Sequence, residues 1–424
     1  MQQQPIEFYI TKAAEGDVAA QHIVGQYLLS QQKPSEALPY LHAAAEQGQP
    51  RACESVGLML LTGNGVKQNL SMAFEDFRSA AMKGDAQCMY RCAELLVTGI
   101  GVERQLDTAM VCLLTSAQQG YPLALRSLGV VLSQQAPVLA AQALLLASFH
   151  GDPLAQHSYA LLKLHQDPAT AKFWFEQAAA RGVLGAQREL QALAEVQVAA
   201  TPSLDMASAL AELSAALADF NVTLPVLPEA LVHHDELGVQ SYVDYFNAIE
   251  CDYLLHMGAP LLEPATVIGS DASLGANPHR TGDTATLGEQ HLDVALQWLQ
   301  LKMSMLAQLP AEHSEPLAII RYQVGQEYKL HGDYLPPDSE FCDPRYGGQR
   351  AKTVLVYLND DFEGGATEFP SLGLSIVPRR GAALVFNNVT ADGEIASHSQ
   401  HCGAPVMSGE KWLASKWVRQ QARR

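Results

Sequence analysis

GQPRACESVGLMLLTGNGVKQNLSMAFEDFRSAAMK, residues 48–83, and GDAQCMYRCAELLVTGIGVERQLDTAMVCLLTSAQQ, residues 84–119, share one pattern. Each opens on Gly, sets a small residue four positions on (Ala52, Cys88) and another at nine (Gly57, Ala93). Each then carries a Gly-x-Gly-Val turn, at Gly63–Val66 and Gly99–Val102, and ends with Ala three residues before the next Gly (Ala81, Ala117). Outward from these units the opening Gly recurs at 16, 48, 84, 120, 151 and 182, at intervals of 32, 36, 36, 31 and 31. Periods of this length mark stacked helix pairs. Small residues at fixed offsets let two helices approach closely, and the Gly suits a left-handed helix stop. The first half is read as an α-solenoid with a concave face, a class that binds proteins or peptides and performs no chemistry itself.

Across residues 10–195 these features resemble the Sel1-like repeat, a relative of the tetratricopeptide repeat. The 36-residue units match that pattern, while units of 31–32 residues have lost the Gly-x-Gly-Val turn. Thr201-Pro202-Ser203 breaks the array, an Ala/Leu-rich amphipathic helix follows, and Pro225 and Pro228 punctuate the next stretch. The expected organisation is therefore a solenoid over 1–199, a linker helix in 200–230 and a second domain over 231–424.

The chain has 424 residues, enough for two to four domains at roughly 100–200 residues each. With 48% hydrophobic and 17% charged residues it is an ordinary globular composition. Lys plus Arg number 27 against 45 Asp plus Glu, a net charge of −18, which speaks against nucleic acid or an anionic membrane as the main partner. Seven cysteines, none in a Cys-x-x-Cys pair, argue against a disulfide framework and for a reducing compartment. The N-terminal run has no basic segment followed by an apolar one, and the longest apolar run, Pro137–Phe149, is shorter than the ~20 residues that span a bilayer. A cytoplasmic protein is expected, and its oligomeric state is left open.

Beyond residue 317 short apolar runs alternate with Gly and Pro: LAIIRYQV, KTVLVYLND, LSIVP, AALVFNN and KWLASKWV all read as strands. Ser241–Met257 and His291–Gln308 read as helices ahead of them. Many short strands behind a few helices suggest an antiparallel double-sheet jelly roll with helical support. Within it lies Tyr328-Lys329-Leu330-His331-Gly332-Asp333. Residues two apart in a strand point the same way, so His331 and Asp333 offer an imidazole and a carboxylate to one point. A third ligand would complete a two-His, one-carboxylate face on iron(II), with three positions open. In a chain with 14 His, His-x-Asp alone decides nothing. Downstream, however, His401 follows Asp333 by 68 residues and Lys411 follows His401 by ten, a cation placed to fix a dicarboxylate as a point charge. His398, a rival third ligand, lies three residues from His401 and lacks that ten-residue offset.

From about Glu250 to Arg419, roughly 170 residues, the chain resembles the prolyl 4-hydroxylase branch of the iron(II)- and 2-oxoglutarate-dependent dioxygenases. The matching segments are Glu250–Leu254, Arg280-Thr281-Gly282, RYQVGQEYKLHGDY, TVLVYLNDDFEGGATEFP and HCGAPVMSGEKW with its KWV ending. The resemblance implies that His331, Asp333 and His401 bind iron, that Lys411 pairs with the distal carboxylate of 2-oxoglutarate, and that Tyr322 and Tyr357 lie along that co-substrate. It places Arg350 and Trp417 near the substrate or ligands. Three positions depart from the family pattern: Gly332 replaces an aromatic residue, Phe386-Asn387-Asn388 replaces Phe-Trp-Asn, and Gln400 stands where Leu is usual.

The implied reaction couples oxygen-dependent decarboxylation of 2-oxoglutarate to succinate with hydroxylation of an unactivated carbon, with ascorbate as reductant. Asp333 in the ligand set speaks for hydroxylation over halogenation. A peptidyl residue, proline first, is the expected substrate, with the repeats recruiting a protein substrate or partner. Two other readings stand beside it: an adaptor whose oxygenase fold is vestigial, and a hydroxylase of a free amino acid or other small molecule. The intact ligand set and Lys411 weigh against the adaptor. His233-His234 and the terminal Arg419, Arg423 and Arg424 are expected to face solvent.

Overall fold

The computed structural model describes residues 4–268, 274–276, 279–288, 291–337 and 339–422. Twelve helices form the repeat array: α1 (Ile6–Ala14), α2 (Val18–Ser30), α3 (Pro34–Glu46), α4 (Pro50–Thr62), α5 (Leu70–Ala81), α6 (Ala86–Thr98), α7 (Leu106–Gln118), α8 (Pro122–Val131), α9 (Pro137–Phe149), α10 (Pro153–Lys163), α11 (Pro168–Ala179) and α12 (Leu184–Ala192). The six repeat-opening glycines all have left-handed φ, between 80° and 91°. Asp17, Asp85 and Asp152 then cap α2, α6 and α10 by accepting from the backbone N–H three residues on. The small residues at offset nine are close-approach points: a Cβ on Gly57 would meet the Phe77 ring at 2.5 Å. In the 36-residue units the Gly63 and Gly99 C-caps are left-handed and open the extra turn.

The expected linker helix is α13 (Met206–Leu217), capped by Asp205. It folds back on α7 and α9, burying Leu213 and Leu217, and Ser214 Oγ donates to the Gln118 carbonyl at 2.9 Å. The next helix begins later than the sequence suggested. Residues 239–242 (VQSY) form a strand, and α14 spans only Ala248–Gly258. A capping box, in which Asn247 and Glu250 each accept from the other's backbone N–H, fixes that start. The second catalytic-domain helix, α15, runs from Val294 to Ala307 and is capped by Asp293.

The strands are β1 (Leu231–His234), β2 (Val239–Tyr242), β3 (Glu263–Pro264), β4 (Thr266–Ile268), β5 (Leu274–Ala276), β6 (Asp283–Leu287), β7 (Leu317–Tyr322), β8 (Tyr328–His331), β9 (Arg350–Tyr357), β10 (Glu363–Gly364), β11 (Thr367–Phe369), β12 (Leu374–Ile376), β13 (Ala383–Asn387), β14 (His401–Gly403), β15 (Val406–Ser408) and β16 (Lys411–Arg419). All five segments expected as strands are strands. An eight-stranded antiparallel sheet has the order β1-β2-β13-β9-β16-β7-β6-β3, and a smaller one β12-β11-β14-β8. The two-residue period of each central strand separates two cores. Ile320, Tyr322, Leu355, Tyr357, Leu384, Phe386 and Leu413 point toward the small sheet and pack with Phe369 and Val406. Their neighbours Ile319, Val354, Val356, Ala383, Val385 and Ala414 point the other way, into a core that takes in α14, α15 and the solenoid.

That second core joins the two halves. Helix α14 packs on α8 and α10, and α15 on α6 and α8. Arg126 of α8 donates to Asp152 and to Asp293, each at 2.9 Å, and Tyr253 also donates to Asp293. Asp252 of α14 collects His157 of α10 at 2.7 Å and Arg380 at 2.6 Å. Lys302 of α15 reaches both Glu250 and Gln134 at 2.8 Å. The solenoid is a layer of the same folded body, stacked on helices that are stacked on the large sheet.

Candidate metal centre and co-substrate pocket

His331 ends β8 and His401 begins β14, and the antiparallel register sets the two opposite each other. Asp333 follows β8 by two residues. One ligand atom from each of the three lies within 4.8 Å of the others, the only such His/Cys/Asp/Glu cluster among the described residues. Their placement is prepared by their neighbours. His331 Nδ1 lies 2.7 Å from the Lys329 carbonyl and His401 Nδ1 lies 3.1 Å from the Ser399 carbonyl. A carbonyl can only accept, so both rings donate from Nδ1 and turn Nε2 inward, toward Asp333. Thr353 Oγ1 donates to Asp333 Oδ2 at 2.7 Å and in turn accepts from Asn388 Nδ2 at 2.9 Å.

The charge state suits a cation. Burial works to raise the Asp333 carboxyl, but His401, His331, Arg350 and the Thr353 hydroxyl together hold it below the ordinary carboxylate range. Burial, followed by the neighbouring His401, pushes His331 well below the usual imidazole value. One carboxylate and two imidazole Nε2 atoms are the donor set of a facial iron(II) site, so the residues present fit that ion. His398 is exposed on the preceding turn and lies outside the cluster.

Lys411 starts β16 opposite Tyr322 of β7 and is buried. Its ammonium donates to the Gly365 carbonyl at 2.7 Å and lies 5.7 Å from the Tyr322 ring and 5.6 Å from the Tyr357 ring. Among the described residues no carboxylate pairs with it, and burial pushes it down to about 8. Alternation along β16 brings Lys411, Leu413, Ser415 and Trp417 into one pocket with His331, Asp333 and His401. Tyr322 lines this pocket, while Tyr357 lies behind it and donates to Thr367 Oγ1 at 2.8 Å.

Arg350 sits beside the three candidate ligands, yet its guanidinium is committed. It grips Glu315 at 2.7 and 2.8 Å, donates to the Asp333 carbonyl at 3.3 Å and lies 4.1 Å from the Trp417 ring. It acts as a brace behind Asp333. Arg419, expected in a solvated tail, is buried: it joins Glu315 from the other side and donates to the carbonyls of Phe341 and Gly348. Arg423 and Arg424 lie outside the described residues. His233 and His234 are half-buried, and His233 bonds Ser241 Oγ.

Three arrangements at the site join residues whose contacts the sequence did not announce. Arg280 is buried over the Tyr328 ring, 5.2 Å from its centroid, with Nε and Nη2 unpartnered. Tyr328 itself lies flat on His331, centroids 3.4 Å apart and rings 15° from parallel. The departures Gly332 and Gln400 prove to be one feature: a Cβ on Gly332 would strike the Tyr334 ring, and Gln400 Nε2 donates to the Tyr334 hydroxyl at 3.1 Å. The aromatic residue missing at 332 is supplied two positions later.

With this geometry in view, comparison with known proteins defines the class first. The family model described as the 2OG-Fe(II) oxygenase superfamily matches residues 317–419, and the Sel1 repeat matches 18–49, 50–85, 86–121 and 154–183. The chain is a Sel1 repeat array fused to a 2-oxoglutarate- and iron(II)-dependent oxygenase domain. Among curated relatives, Prolyl 4-hydroxylase 1 of Arabidopsis thaliana is 34% identical over 195 residues, covering 42% of this chain and 68% of the relative. Probable prolyl 4-hydroxylase 10 of the same plant is 31% identical, covering 42% and 67%. Through its C-terminal half the chain belongs to the prolyl 4-hydroxylase family. Solved structures that resemble it include the viral collagen prolyl hydroxylase of Paramecium Bursaria Chlorella virus-1, 24% identical over 43% of this chain and 95% of that one, with a TM-score of 0.34. A Sel1 repeat protein of Oxalobacter formigenes is 28% identical over 44% and 59%, with a TM-score of 0.42.

Proposed function

We propose that this chain hydroxylates proline in a polypeptide, with iron(II) on His331, Asp333 and His401 and 2-oxoglutarate anchored by Lys411. One observation carries the site reading: both histidines are locked by backbone carbonyls so that only Nε2 can coordinate, and both Nε2 atoms face the one ionised, buried carboxylate. When bound, iron with 2-oxoglutarate and oxygen supplies the oxidising power for hydroxylation of an unactivated carbon. This chain's residues do the rest. Thr353 and Arg350 hold Asp333 still, one at its carboxylate and one at its carbonyl. Lys411 offers an unmatched cation to the distal carboxylate, and the Tyr322 ring forms the apolar wall along the co-substrate. Trp417 and Arg280 line the same pocket as the three candidate ligands.

Ascorbate as reductant and a reducing, cytoplasmic location are part of the proposal, as is a jelly-roll description of the two sheets. A polypeptide held by the repeats would meet the faces that α14 and α15 leave open. Arg51, Glu54, Gln26 and His22, on α2 and α4, line a cleft there of about 650 Å³. The test is succinate release by the full chain with iron, ascorbate and proline-containing peptides, with the product mass read in parallel. A gain of one oxygen on proline is expected. Iron uptake without peptide-stimulated turnover on any proline peptide would overturn the substrate assignment, and absence of iron binding would overturn the site.

A further inference from the structure

Among the described residues, three lysines are buried to within 3% of complete: Lys302, Lys411 and Lys416. A buried ammonium is costly unless a negative group faces it. Lys302 has Glu250 at 2.8 Å. Among the described residues Lys411 has no carboxylate partner, and it faces the pocket proposed for one. Lys416 repeats the second situation on the opposite face of the same strand: five residues along β16 is an odd number, so its side chain leaves the sheet on the solenoid side. Its Nζ donates to Gln300 Oε1 at 2.9 Å and to the Glu315 carbonyl at 3.4 Å, and no carboxylate pairs with it among the described residues. The nearest candidate, the Glu315 carboxylate, is already held by Arg350 and Arg419.

Lys416 opens onto a cleft of about 570 Å³ between the two halves of the chain. From the solenoid side the cleft is lined by the Gly99–Arg104 turn, the Gly-x-Gly-Val feature of the 36-residue repeat. Arg104 enters it with Nε buried and unpartnered, its other end reaching Glu312 at 3.1 Å near solvent. The charged groups facing the cleft are Glu103, Arg104, Glu312, Glu315 and Lys416. Of its carboxylates, Glu315 is spent on the two arginines, Glu103 is exposed and Glu312 is more than half exposed, so the buried end is cationic.

We propose that this interdomain cleft binds a small oxyanion, a carboxylate or phosphate group held between Lys416 of the catalytic sheet and Arg104 of the repeat turn. Burial and, behind it, Arg104 push the Lys416 ammonium down to about 7, so an arriving anion would draw a proton onto it and bind more tightly below neutrality. The site needs both halves of the chain and is separate from the metal centre. It is nevertheless wired to it: Glu315 N–H donates to the Trp417 carbonyl at 2.8 Å, and the Glu315 side chain holds the Arg350 that braces Asp333.

The experiment titrates the full chain with inorganic phosphate and, separately, acetate, against sodium chloride at matched ionic strength, by calorimetry and thermal unfolding at pH 6.5 and 8.5. Saturable binding is expected with at least one probe, stronger at pH 6.5, weakened at least about tenfold in Lys416→Met as a lost buried charge partner requires, weakened in Arg104→Gln, and retained in Lys411→Met. The two probes separate a phosphate from a carboxylate ligand. Absence of saturable binding with both, binding that survives Lys416→Met, or binding that disappears in Lys411→Met would each overturn the proposal. If Lys416→Met does not fold, unchanged binding in Arg104→Gln, whose side chain is partly exposed, overturns it instead.

Discussion

Burial holds Lys411 near 8 instead of 10.5, and the shift has a price that 2-oxoglutarate should repay. At 1.36 kcal/mol per unit the charged form is disfavoured in the free protein by roughly 3 kcal/mol. The sign for folding follows. The unfolded chain binds the proton more tightly than the folded one, so this residue weakens the free protein fully below pH 8, and the penalty fades as pH rises from 8 toward 10.5. A dicarboxylate reverses the preference, because it binds the charged form only. Below pH 8 the KM for 2-oxoglutarate should be nearly flat in this group. Above it, each pH unit should raise the KM about tenfold, with uptake of close to one proton per ligand. Lys411→Met should raise the stability of the ligand-free chain near neutrality by up to ~3 kcal/mol and at the same time weaken 2-oxoglutarate by more than tenfold, abolishing the pH slope. Calorimetry in buffers of different ionisation enthalpy counts the proton, and urea unfolding measures the stability change. A KM unchanged between pH 7 and 9, or a Lys411→Met chain that is both less stable and still tight for 2-oxoglutarate, would refute the reasoning.

Thr353→Val removes the hydroxyl that holds Asp333 Oδ2 and should weaken iron(II) binding by roughly 10–100-fold with little change in fold, measured by metal titration. Arg126→Met strands Asp152 and Asp293 between the two halves and should cost ~3–5 kcal/mol, read as one destabilised urea transition rather than two. Deleting residues 1–199 uncovers the apolar faces of α14 and α15 and takes His157 from Asp252, Arg126 from Asp293 and Gln134 from Lys302, so the remainder should be insoluble or lack near-ultraviolet circular dichroism. A well-folded, fully active fragment would contradict the shared core.

What the sequence made legible were features with a period or a fixed offset. The glycine interval placed the helix pairs, and the small residues at offset nine are the close contacts they imply. LAIIRYQV and KTVLVYLND read as strands, and the candidate ligands stood out through His-x-Asp and the ten residues from His401 to Lys411. What remained hidden has no period. The docking of the halves rests on single residues far apart in the chain, such as Arg126 with Asp293 and His157 with Asp252. The helix expected from Ser241 failed because VQSY is a four-residue alternation too short to outweigh the helical pattern after it, although Asn247 and Glu250 carried the capping-box spacing. Arg419 read as tail because nothing near it in sequence announces Glu315, a partner 104 positions earlier.

The docking changes what recruitment by the repeats can mean. Helices α6, α8 and α10 are occupied by α14 and α15, while the α2–α4 cleft lies clear of them and is the proposed place for a captured polypeptide. From α4 to α8 is two repeats, about 20 Å at helix spacings of 8–10 Å. The catalytic helix layer and the large sheet add about 10 Å each before the pocket between the sheets. A single extended chain covering about 40 Å needs roughly twelve residues at 3.3 Å each. Because the solenoid is fixed to the catalytic domain and not tethered by a loose linker, shorter peptides gain nothing from the repeats. In a series of proline-containing peptides cut from one protein substrate, KM should therefore be level up to about a dozen residues and fall beyond that length. Arg51→Glu, on the open cleft and away from the catalytic domain, should remove the fall and leave the short peptides unaffected. A KM independent of length from five to thirty residues, or a fall that Arg51→Glu does not touch, would place substrate selection in the catalytic pocket and its rim around Tyr334, with the repeats serving as the second wall of the core.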